Sequence, residues 1–336
     1  MGSILIVKLD HIGDLALALP ACHALAVATQ SGMLDLVVSP VNAGWHDVLP
    51  WVGELYTVQF PGYQAGRGKR FTRLATLWAL FALAWRLRSR QYTEALDLRT
   101  VVQDWRGKLI ARLSGAKNRI GGEGSGSNFL THAVRNSGVH EAEIIGNRIE
   151  AYYGKLKDGT GPVTSIRRIR PQGNRRIVIH PGAGFASKMW PTEHWIELRK
   201  LLTRELPQLE VFWLGGEKER PLLAEMESTL REKDTFVVSG TIRETLQILA
   251  DADLLVGLDS AAPHMAALVN TPAVTIFSEA NEVPRWKAQG NNLVLHHPVE
   301  CAPCHLRECK FTNHPCMKEI FPDAVMYAIL GVVAIK

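Results

Sequence analysis

The sequence lacks any apolar stretch long enough to cross a membrane. Its most apolar run, Ala75 to Trp85, has eleven residues between Arg73 and Arg86, whereas a spanning helix needs about 20. The N-terminus, MGSILIVKLD, begins directly with strand-forming residues and lacks the zones of a signal peptide. We therefore expect a cytoplasmic protein in which the run at 75–85 forms a buried helix, with a membrane-facing helix as the alternative.

Features of disordered and of nucleic-acid-binding proteins are also missing. The chain is 46% hydrophobic and 21% charged, as in ordinary globular proteins. Its net charge of +5 and pI of about 9.0 favour an anionic partner, such as a phosphorylated substrate, an anionic lipid surface or a nucleic acid. Because no aromatic residues are interleaved with the basic ones and no nucleic-acid module is present, we expect no nucleic-acid partner.

The length of 336 residues predicts two domains. The segment Asp158 to Asn174 is polar and broken by several Gly and Pro residues, which is typical of a linker. We place an N-terminal domain at residues 1–160 and a C-terminal domain at 175–320. The remaining residues, 321–336, should form a helix that packs back toward the N-terminal domain.

Apolar strand candidates alternate with helical stretches in both halves, which predicts two parallel α/β sheets. The strand candidates are Ile4–Leu9, Leu34–Val38, Leu55–Phe60, Ala95–Leu98, Ile177–Ile179, Val211–Leu214, Thr235–Val238, Leu254–Gly257 and Ala273–Phe277. The helical stretches in the first half are Val41–Leu49, Leu74–Arg88, Val102–Leu113 and Glu141–Lys157, whereas Gly121–Asn128 reads as a loop. In such sheets ligands bind at the carboxyl ends of the strands, in a crevice.

The stretch IVIHPGAGFASKMWPTEHW, residues 177–195, has the order of a strand, a glycine turn and a helix start. Gly182 and Gly184 permit close approach to the main chain, and Pro191 is suited to the first turn of a helix. Helix N-termini bind anions, and Lys188 adds a positive charge. The stretch therefore predicts a phosphate-facing loop, although an ordinary βα connection with a solvated lysine fits it equally well.

A second basic feature is the loop YQAGRGKRFTR, which carries Arg67, Lys69, Arg70 and Arg73. Charge runs of this kind are commonly solvated surface loops. The functional interpretation is a clamp for an anionic acceptor.

Five segments together resemble the glycosyltransferase family that includes the ADP-heptose:lipopolysaccharide heptosyltransferases. In chain order they are ILIVKLDHIGDLALALP, HPGAGFASKMWP, LGGEKE, GLDSAAPHMAALVNTPAVTIF and CAPCHLRECKFTNHPCM. The resemblance implies a glycosyltransferase-B fold, with two Rossmann-like domains facing a central cleft. It also implies heptose transfer with inversion, without a cofactor or catalytic metal, from ADP-heptose to a phosphorylated, lipid-linked inner core of lipopolysaccharide. The expected location is peripheral, at the cytoplasmic face of the inner membrane.

The same resemblance assigns roles to individual residues. Asp14 falls on the catalytic carboxylate, which would accept the proton of the acceptor hydroxyl; its alternative is an N-cap of the following helix. Lys188 falls on the lysine that contacts the donor diphosphate. The other implied donor-binding residues are Gly13, Gly182, Gly184, Glu219, Asp259, Ser260, Ala261 and His264.

Two of these assignments need comment. Ala261 stands where the family usually has glycine, so we expect the phosphate turn to differ slightly. Glu219 falls on a position that contacts the nucleotide ribose, where a carboxylate can accept bonds from paired hydroxyls. For the basic loop, the resemblance favours contact with the phosphorylated acceptor.

Four of the five cysteines, Cys301, Cys304, Cys309 and Cys316, crowd into one C-terminal window. This spacing alone would indicate zinc or an iron–sulfur centre. Similar segments occur in the resembled family, whose members are not generally regarded as metalloproteins. We therefore expect no bound metal and keep a structural metal as the alternative.

Two further alternatives concern the function. The chain could be a related transferase that uses another nucleotide sugar, or one that modifies a protein or natural product. A basic nucleic-acid-binding protein without enzymatic activity is the remote alternative.

Overall fold

The computed structural model describes residues 3–29, 31–60, 73–156, 161–171, 173–230 and 234–334. The chain divides into two compact units, Met1–Ser165 and Ile166–Lys336. The division falls inside the polar segment 158–174 that we predicted as a linker.

In its described residues, the first unit contains one parallel six-stranded sheet in the order β3-β2-β1-β4-β5-β6. Its strands are β1 (Ile4–Lys8), β2 (Leu34–Val38), β3 (Val52–Thr57), β4 (Glu94–Asp97), β5 (Asn118–Gly122) and β6 (His132–Val134). Its helices are α1 (Ile12–Ala28), α2 (Arg73–Ser89), α3 (Arg106–Leu113) and α4 (Glu141–Tyr153). All five residues of β1 are buried, because this strand lies in the middle of the sheet.

The described part of the second unit repeats this plan, with the parallel order β12-β11-β10-β7-β8-β9. Its strands are β7 (Arg176–His180), β8 (Glu210–Gly215), β9 (Thr235–Val238), β10 (Leu254–Leu258), β11 (Ala273–Phe277) and β12 (Asn292–His296). Its helices are α5 (Thr192–Glu205), α6 (Arg220–Leu230), α7 (Ile242–Ala250), α8 (Ala261–Leu268), α9 (Val283–Trp286), α10 (Pro315–Lys318) and α11 (Pro322–Ala334).

The two sheets share one topology. Counted within each unit, the strand order is 3-2-1-4-5-6, which is the order of a dinucleotide-binding Rossmann fold. The predicted class, α/β with two Rossmann-like units, is confirmed. Strand order reverses between β1 and β4 in the first unit and between β7 and β10 in the second, so ligands are expected beyond the carboxyl ends of these strands.

Several predicted elements were wrong in position or were missed. The strand predicted at Leu55–Phe60 is Val52–Thr57, and β5, β6 and β12 were not predicted. The helix predicted from Val102 begins at Arg106, where the Asp104 carboxylate accepts the Arg106 N–H at 3.0 Å. The stretch predicted as a helix from Val41 is a 3₁₀ helix, Pro40–Val48.

The C-terminal helix α11 contributes to the core of the second unit. Val325, Met326 and Ile329 are buried there, and α11 packs on α5 and β11. We had expected this segment to pack toward the N-terminal domain. The packing seen for α11 is on its own unit, where it covers one side of the sheet, and the expected packing toward the N-terminal domain stays a prediction.

Candidate active site

Asp14 lies in the first turn of α1, just beyond the carboxyl end of β1. His11 is the N-cap of this helix, and Asp14 Oδ2 accepts the His11 N–H at 3.0 Å. Asp14 is therefore the third helical residue of a capping box and not the N-cap itself. The bond orients a partly buried carboxylate at the place where strand order reverses.

The electrostatic surroundings of Asp14 favour a basic carboxylate. Burial raises its pKa above the ordinary 3.8, and the negative charge of Asp10 raises it further. Lys8 and the His11 backbone act in the opposite direction without cancelling the effect. A carboxylate with a raised pKa accepts a proton more readily near neutral pH, which suits a general base.

A buried ionic network surrounds this position. Lys8 Nζ lies 3.0 Å from Asp10 Oδ2, and Arg99 bridges Asp10 Oδ1 at 2.9 Å and Asp104 Oδ2 at 2.6 Å. Burial would raise the pKa of Asp10, but Lys8 and Arg99 outweigh burial and hold it below its ordinary value. Asp10 is thus a fixed negative charge beside Asp14.

The sequence analysis did not identify this network, although one signal was available. Lys8 sits within the apolar run ILIVK, where a lysine is rarely buried unless it is paired. The next polar residue, Asp10, is its partner.

A small cavity of about 40 Å³ opens beside the network. Arg99 and Arg106 line it together with apolar and backbone groups from the ends of β1, β2 and β3. Of the four residues predicted to clamp an acceptor, Arg67, Lys69 and Arg70 lie outside the described residues. Arg73 is described only as the first residue of α2.

In the second unit, Lys188 and Asp259 form a close ion pair. Lys188 Nζ lies 2.6 Å from Asp259 Oδ2, and the two side chains are 12% and 6% exposed. Lys188 ends a 3₁₀ turn that follows β7, and Asp259 follows β10. The pair therefore joins the two strands between which strand order reverses, and it brings together two residues that the resemblance predicted for the donor site.

Asn281 is a third member of this group, and the sequence analysis missed it. Its Nδ2 donates to Asp259 Oδ2 at 3.1 Å. Asn281 follows β11, the strand beside β10. A polar residue after a neighbouring parallel strand was the signal that could have identified it.

One buried polar atom beside the pair, Ser260 Oγ, has no hydrogen-bond partner within the described residues. Ser260 is the N-cap of α8, and His180 ends β7 beside Gly257 of β10. Burial lowers the pKa of His180, which keeps the imidazole neutral. An unsatisfied hydroxyl at the carboxyl end of a strand is suited to contact a bound ligand.

Ala261 is the first residue of α8 and has no left-handed backbone. The position therefore does not require glycine in this chain, and the expected difference in the phosphate turn stays a prediction. His264 is buried one turn further along the same helix.

Glu219 occupies a slot formed by glycines. A Cβ on Gly182 would lie 2.3 Å from Glu219 Cγ, and one on Gly215 would lie 2.6 Å from Glu219 Cβ. Glu219 Oε2 accepts the Gly216 N–H at 2.9 Å. Gly182 thus makes room for the Glu219 side chain, whereas a Cβ on Gly184 would meet nothing within 4 Å.

The region that contains this second cluster matches a known family. Residues 156–314 match glycosyltransferase family 9 (heptosyltransferase). Lipooligosaccharide heptosyltransferase 2 of Campylobacter jejuni is 27% identical to this chain over 168 residues, which are 48% of this chain and 52% of that protein. The chain thus spans about half the length of the curated relatives that it matches with this identity.

Solved structures extend the likeness in fold to the whole chain. The family 9 glycosyl transferase of Veillonella parvula has a TM-score of 0.80 at 16% identity, covering 100% of this chain and 98% of that chain. The heptosyltransferase WaaC of E. coli, solved with ADP, has a TM-score of 0.78 at 17% identity, covering 98% and 99%. It has also been solved with ADP-2-deoxy-2-fluoro heptose. These comparisons establish the fold.

The cysteine segment contacts the turn that carries Lys188 through two backbone carbonyls and the His314 side chain. Ser187 N and Oγ donate to the carbonyls of Arg307 and Leu306 at 3.0 and 2.5 Å, and His314 Nε2 contacts Ser187 O at 3.0 Å. The Cys304 N–H donates to Glu279 O, just before Asn281. Across the described ranges, no group of three or more His, Cys, Asp or Glu residues could hold a metal ion.

Proposed function

We propose that this chain is an inverting glycosyltransferase that transfers heptose from ADP-heptose to the inner core of lipopolysaccharide. The observation that carries the proposal is the Lys188–Asp259 pair beside the N-terminus of α8, where strand order reverses. A cation next to helix N–H groups is suited to a diphosphate. This positive charge would take the place of a catalytic divalent metal.

The identity of the proposed donor is supported by residues of the second unit and by a structural neighbour. The relative WaaC has been solved with ADP and with an ADP-heptose analogue, which supports ADP-heptose for this chain. Glu219, held by the Gly216 N–H, would accept hydrogen bonds from the ribose hydroxyls. Ser260 Oγ would donate to a phosphate oxygen, which gives its buried hydroxyl a partner.

Asp14 would act as the general base. As the acceptor hydroxyl oxygen bonds to the anomeric carbon, its proton passes to the Asp14 carboxylate. The bond from the anomeric carbon to the diphosphate oxygen breaks on the opposite face, so the configuration inverts. Lys188 stabilises the charge that develops on the leaving diphosphate. Asp259 and Asn281 are positioning residues, because Asp259 pairs with the Lys188 ammonium group and Asn281 donates to Asp259.

The acceptor is proposed to be a phosphorylated, lipid-linked saccharide at the cytoplasmic face of the inner membrane. Arg67, Lys69, Arg70 and Arg73 remain the proposed contacts to its anionic groups.

The decisive variant is Asp14→Asn. Asparagine can still accept the His11 N–H, so the helix start should be retained, but it cannot take up the proton. We expect turnover to fall by at least about 10²-fold, with ADP affinity in calorimetric titration close to that of the wild type. Normal turnover would return Asp14 to a purely structural role. Asp323→Asn, at an exposed carboxylate on α11, is the matched control.

Donor choice is tested separately. The protein is incubated with ADP-heptose, UDP-sugars or GDP-sugars and a heptose-deficient core acceptor, and release of the nucleoside diphosphate is followed. We expect release from ADP-heptose alone. Release only from another donor, or none from ADP-heptose, would contradict the proposal.

A further inference from the structure

Helix α2 carries an exposed apolar face that the fold does not use. Leu77, Trp78, Phe81 and Trp85 are 62%, 71%, 66% and 71% exposed. The rings of Trp78 and Phe81 meet edge to face at 6.2 Å between centroids. Their spacing places all four residues on one side of the helix. Exposed apolar patches of this size usually mark an interaction surface.

The opposite side of α2 already packs on its own unit. Leu83 and Leu87 are buried in the core of the first unit, and Leu80 packs against that core. The helix is therefore apolar on both sides, and only one side serves the fold. Helices that are apolar all round normally have both sides covered.

The described length of α2 is short for a membrane-spanning helix. Its 17 residues extend about 26 Å, which is shorter than the roughly 30 Å hydrocarbon core. No helix within the described ranges combines the length and apolar character needed to cross a membrane. A helix packed along one side and exposed along the other can lie in the plane of a bilayer surface.

Positive charge borders the apolar face. Arg86 and Arg88 are exposed in the last turn of α2, where the Arg86 guanidinium lies 4.8 Å from the Tyr56 ring centroid and Arg88 Nε donates to Leu113 O at 3.2 Å. Arg88 lies three residues after Trp85 on the same side. Arg112 is exposed on α3, which packs on α2. Arginines at this border can place their guanidinium groups among lipid phosphates while the neighbouring rings enter the acyl region.

The net positive charge of the chain lies in the same unit as α2. Up to Ser165 the sequence has 18 Lys and Arg against 13 Asp and Glu, whereas from Ile166 onward it has 20 of each. The net charge of +5 therefore belongs entirely to the first unit, which carries α2.

Tryptophan, present twice on the exposed face of α2, is enriched at the boundary between lipid and water.

We propose that the exposed face of α2 docks on the surface of an anionic phospholipid bilayer. The residues that enter the boundary are Leu77, Trp78, Phe81 and Trp85, with Arg86 and Arg88 at the headgroups. The inference rests on the proposed function only where it explains how the chain reaches a lipid-linked acceptor. The docking on a bilayer does not depend on that function.

The test is flotation of the full chain with vesicles, without any sugar. Vesicles of phosphatidylglycerol and phosphatidylethanolamine are compared with vesicles of phosphatidylcholine. We expect the wild type to float with the anionic vesicles and to be released by high salt. Trp78→Ser combined with Trp85→Ser should weaken partitioning at least about tenfold. The double variant Ile169→Ser and Tyr327→Ser, at residues that are 74% and 81% exposed in the second unit, should bind like the wild type.

Three outcomes would overturn the inference. They are a wild type that fails to float with anionic vesicles, a Trp78/Trp85 variant that floats normally, and a wild type that self-associates in sedimentation velocity while the variant is monomeric. The last result would assign the face to a second copy of the chain. A second assay distinguishes the docking from the proposed function: ADP release from the donor is measured with an acceptor dispersed in detergent. Activity without flotation contradicts only the docking, and flotation without activity contradicts only the proposed reaction.

Discussion

Replacing Gly182 with alanine should displace Glu219 and lower the stability of the second unit. The new Cβ would lie 2.3 Å from Glu219 Cγ and 3.0 Å from Cδ. Glu219 cannot rotate away without cost, because its carboxylate accepts the Gly216 N–H and a second glycine, Gly215, adjoins its Cβ. Either the strand ends separate or the hydrogen bond breaks.

The size of the effect follows from these two possibilities. Overpacking in a well-filled site costs about 1–3 kcal/mol, and a lost hydrogen bond to a charged group costs about 1.5–3 kcal/mol. For a destabilisation of about 2 kcal/mol in a unit of this size, the Tm should fall by about 4–8 °C. If Glu219 binds the ribose, ADP affinity should also fall by roughly 10–100-fold.

Gly184→Ala is the matched control, two residues away in the same turn. A Cβ there meets nothing within 4 Å, and Gly184 has no left-handed backbone. Its unfolding free energy should stay within about 0.5 kcal/mol of the wild type. The assays are thermal unfolding by circular dichroism and calorimetric titration with ADP. Equal Tm values for the two variants would refute the packing argument, and a lowered Tm with unchanged ADP affinity would refute the ribose contact.

Three further predictions concern charged groups. Because Asp10 raises the pKa of Asp14, Asp10→Asn should move the acid limb of the kcat/KM profile to lower pH; an unmoved limb would contradict this coupling. Burial raises the pKa of Asp97 from 3.8 to about 6, so the folded state holds this proton more tightly and the unfolding free energy should fall as pH rises from about 4 to about 6. Asp97→Asn should remove this loss of unfolding free energy, which is roughly 3 kcal/mol at most. The measurement is urea unfolding of both proteins at the two pH values, and an identical pH dependence would count against the prediction. Lys188→Gln should lower kcat by about 10²–10³-fold, whereas Lys200→Gln, at an exposed lysine of α5, should have no effect; equal kcat values would exclude Lys188 from the reaction.

Local patterns predicted most of the central strands. The bounds of Leu34–Val38, Thr235–Val238 and Ala273–Phe277 agree with the structure, because β-branched and apolar residues between turn signals have few other options. Two of the three missed strands are different: NRIGG and HAV contain glycine or exposed polar residues. They become strands because a neighbouring parallel strand supplies hydrogen bonds, and a local pattern does not record that neighbour.

The same distinction applies to the candidate site, where some residues were predicted from the sequence and others were found only in the structure. The family resemblance predicted site roles for Asp14, Lys188 and Asp259, and each of these residues follows a strand in the structure. The sequence motifs did not identify Asn281 or the Lys8–Asp10 pair as parts of the site, and they assigned Gly182 to ligand approach, whereas in the structure it accommodates Glu219. These relations join segments that are close only after the sheet forms.

By itself, the sequence determined that the chain alternates strands and helices, places glycine turns after buried strands and carries a lysine and an aspartate at two of those turns. The tertiary structure alone decided that Lys188 pairs with Asp259, because β7 and β10 are neighbours in the sheet although they are far apart in the chain. It also decided which side of α2 is covered. Periodicity sets local conformation, but strand order and packing decide which side chains meet and which remain exposed.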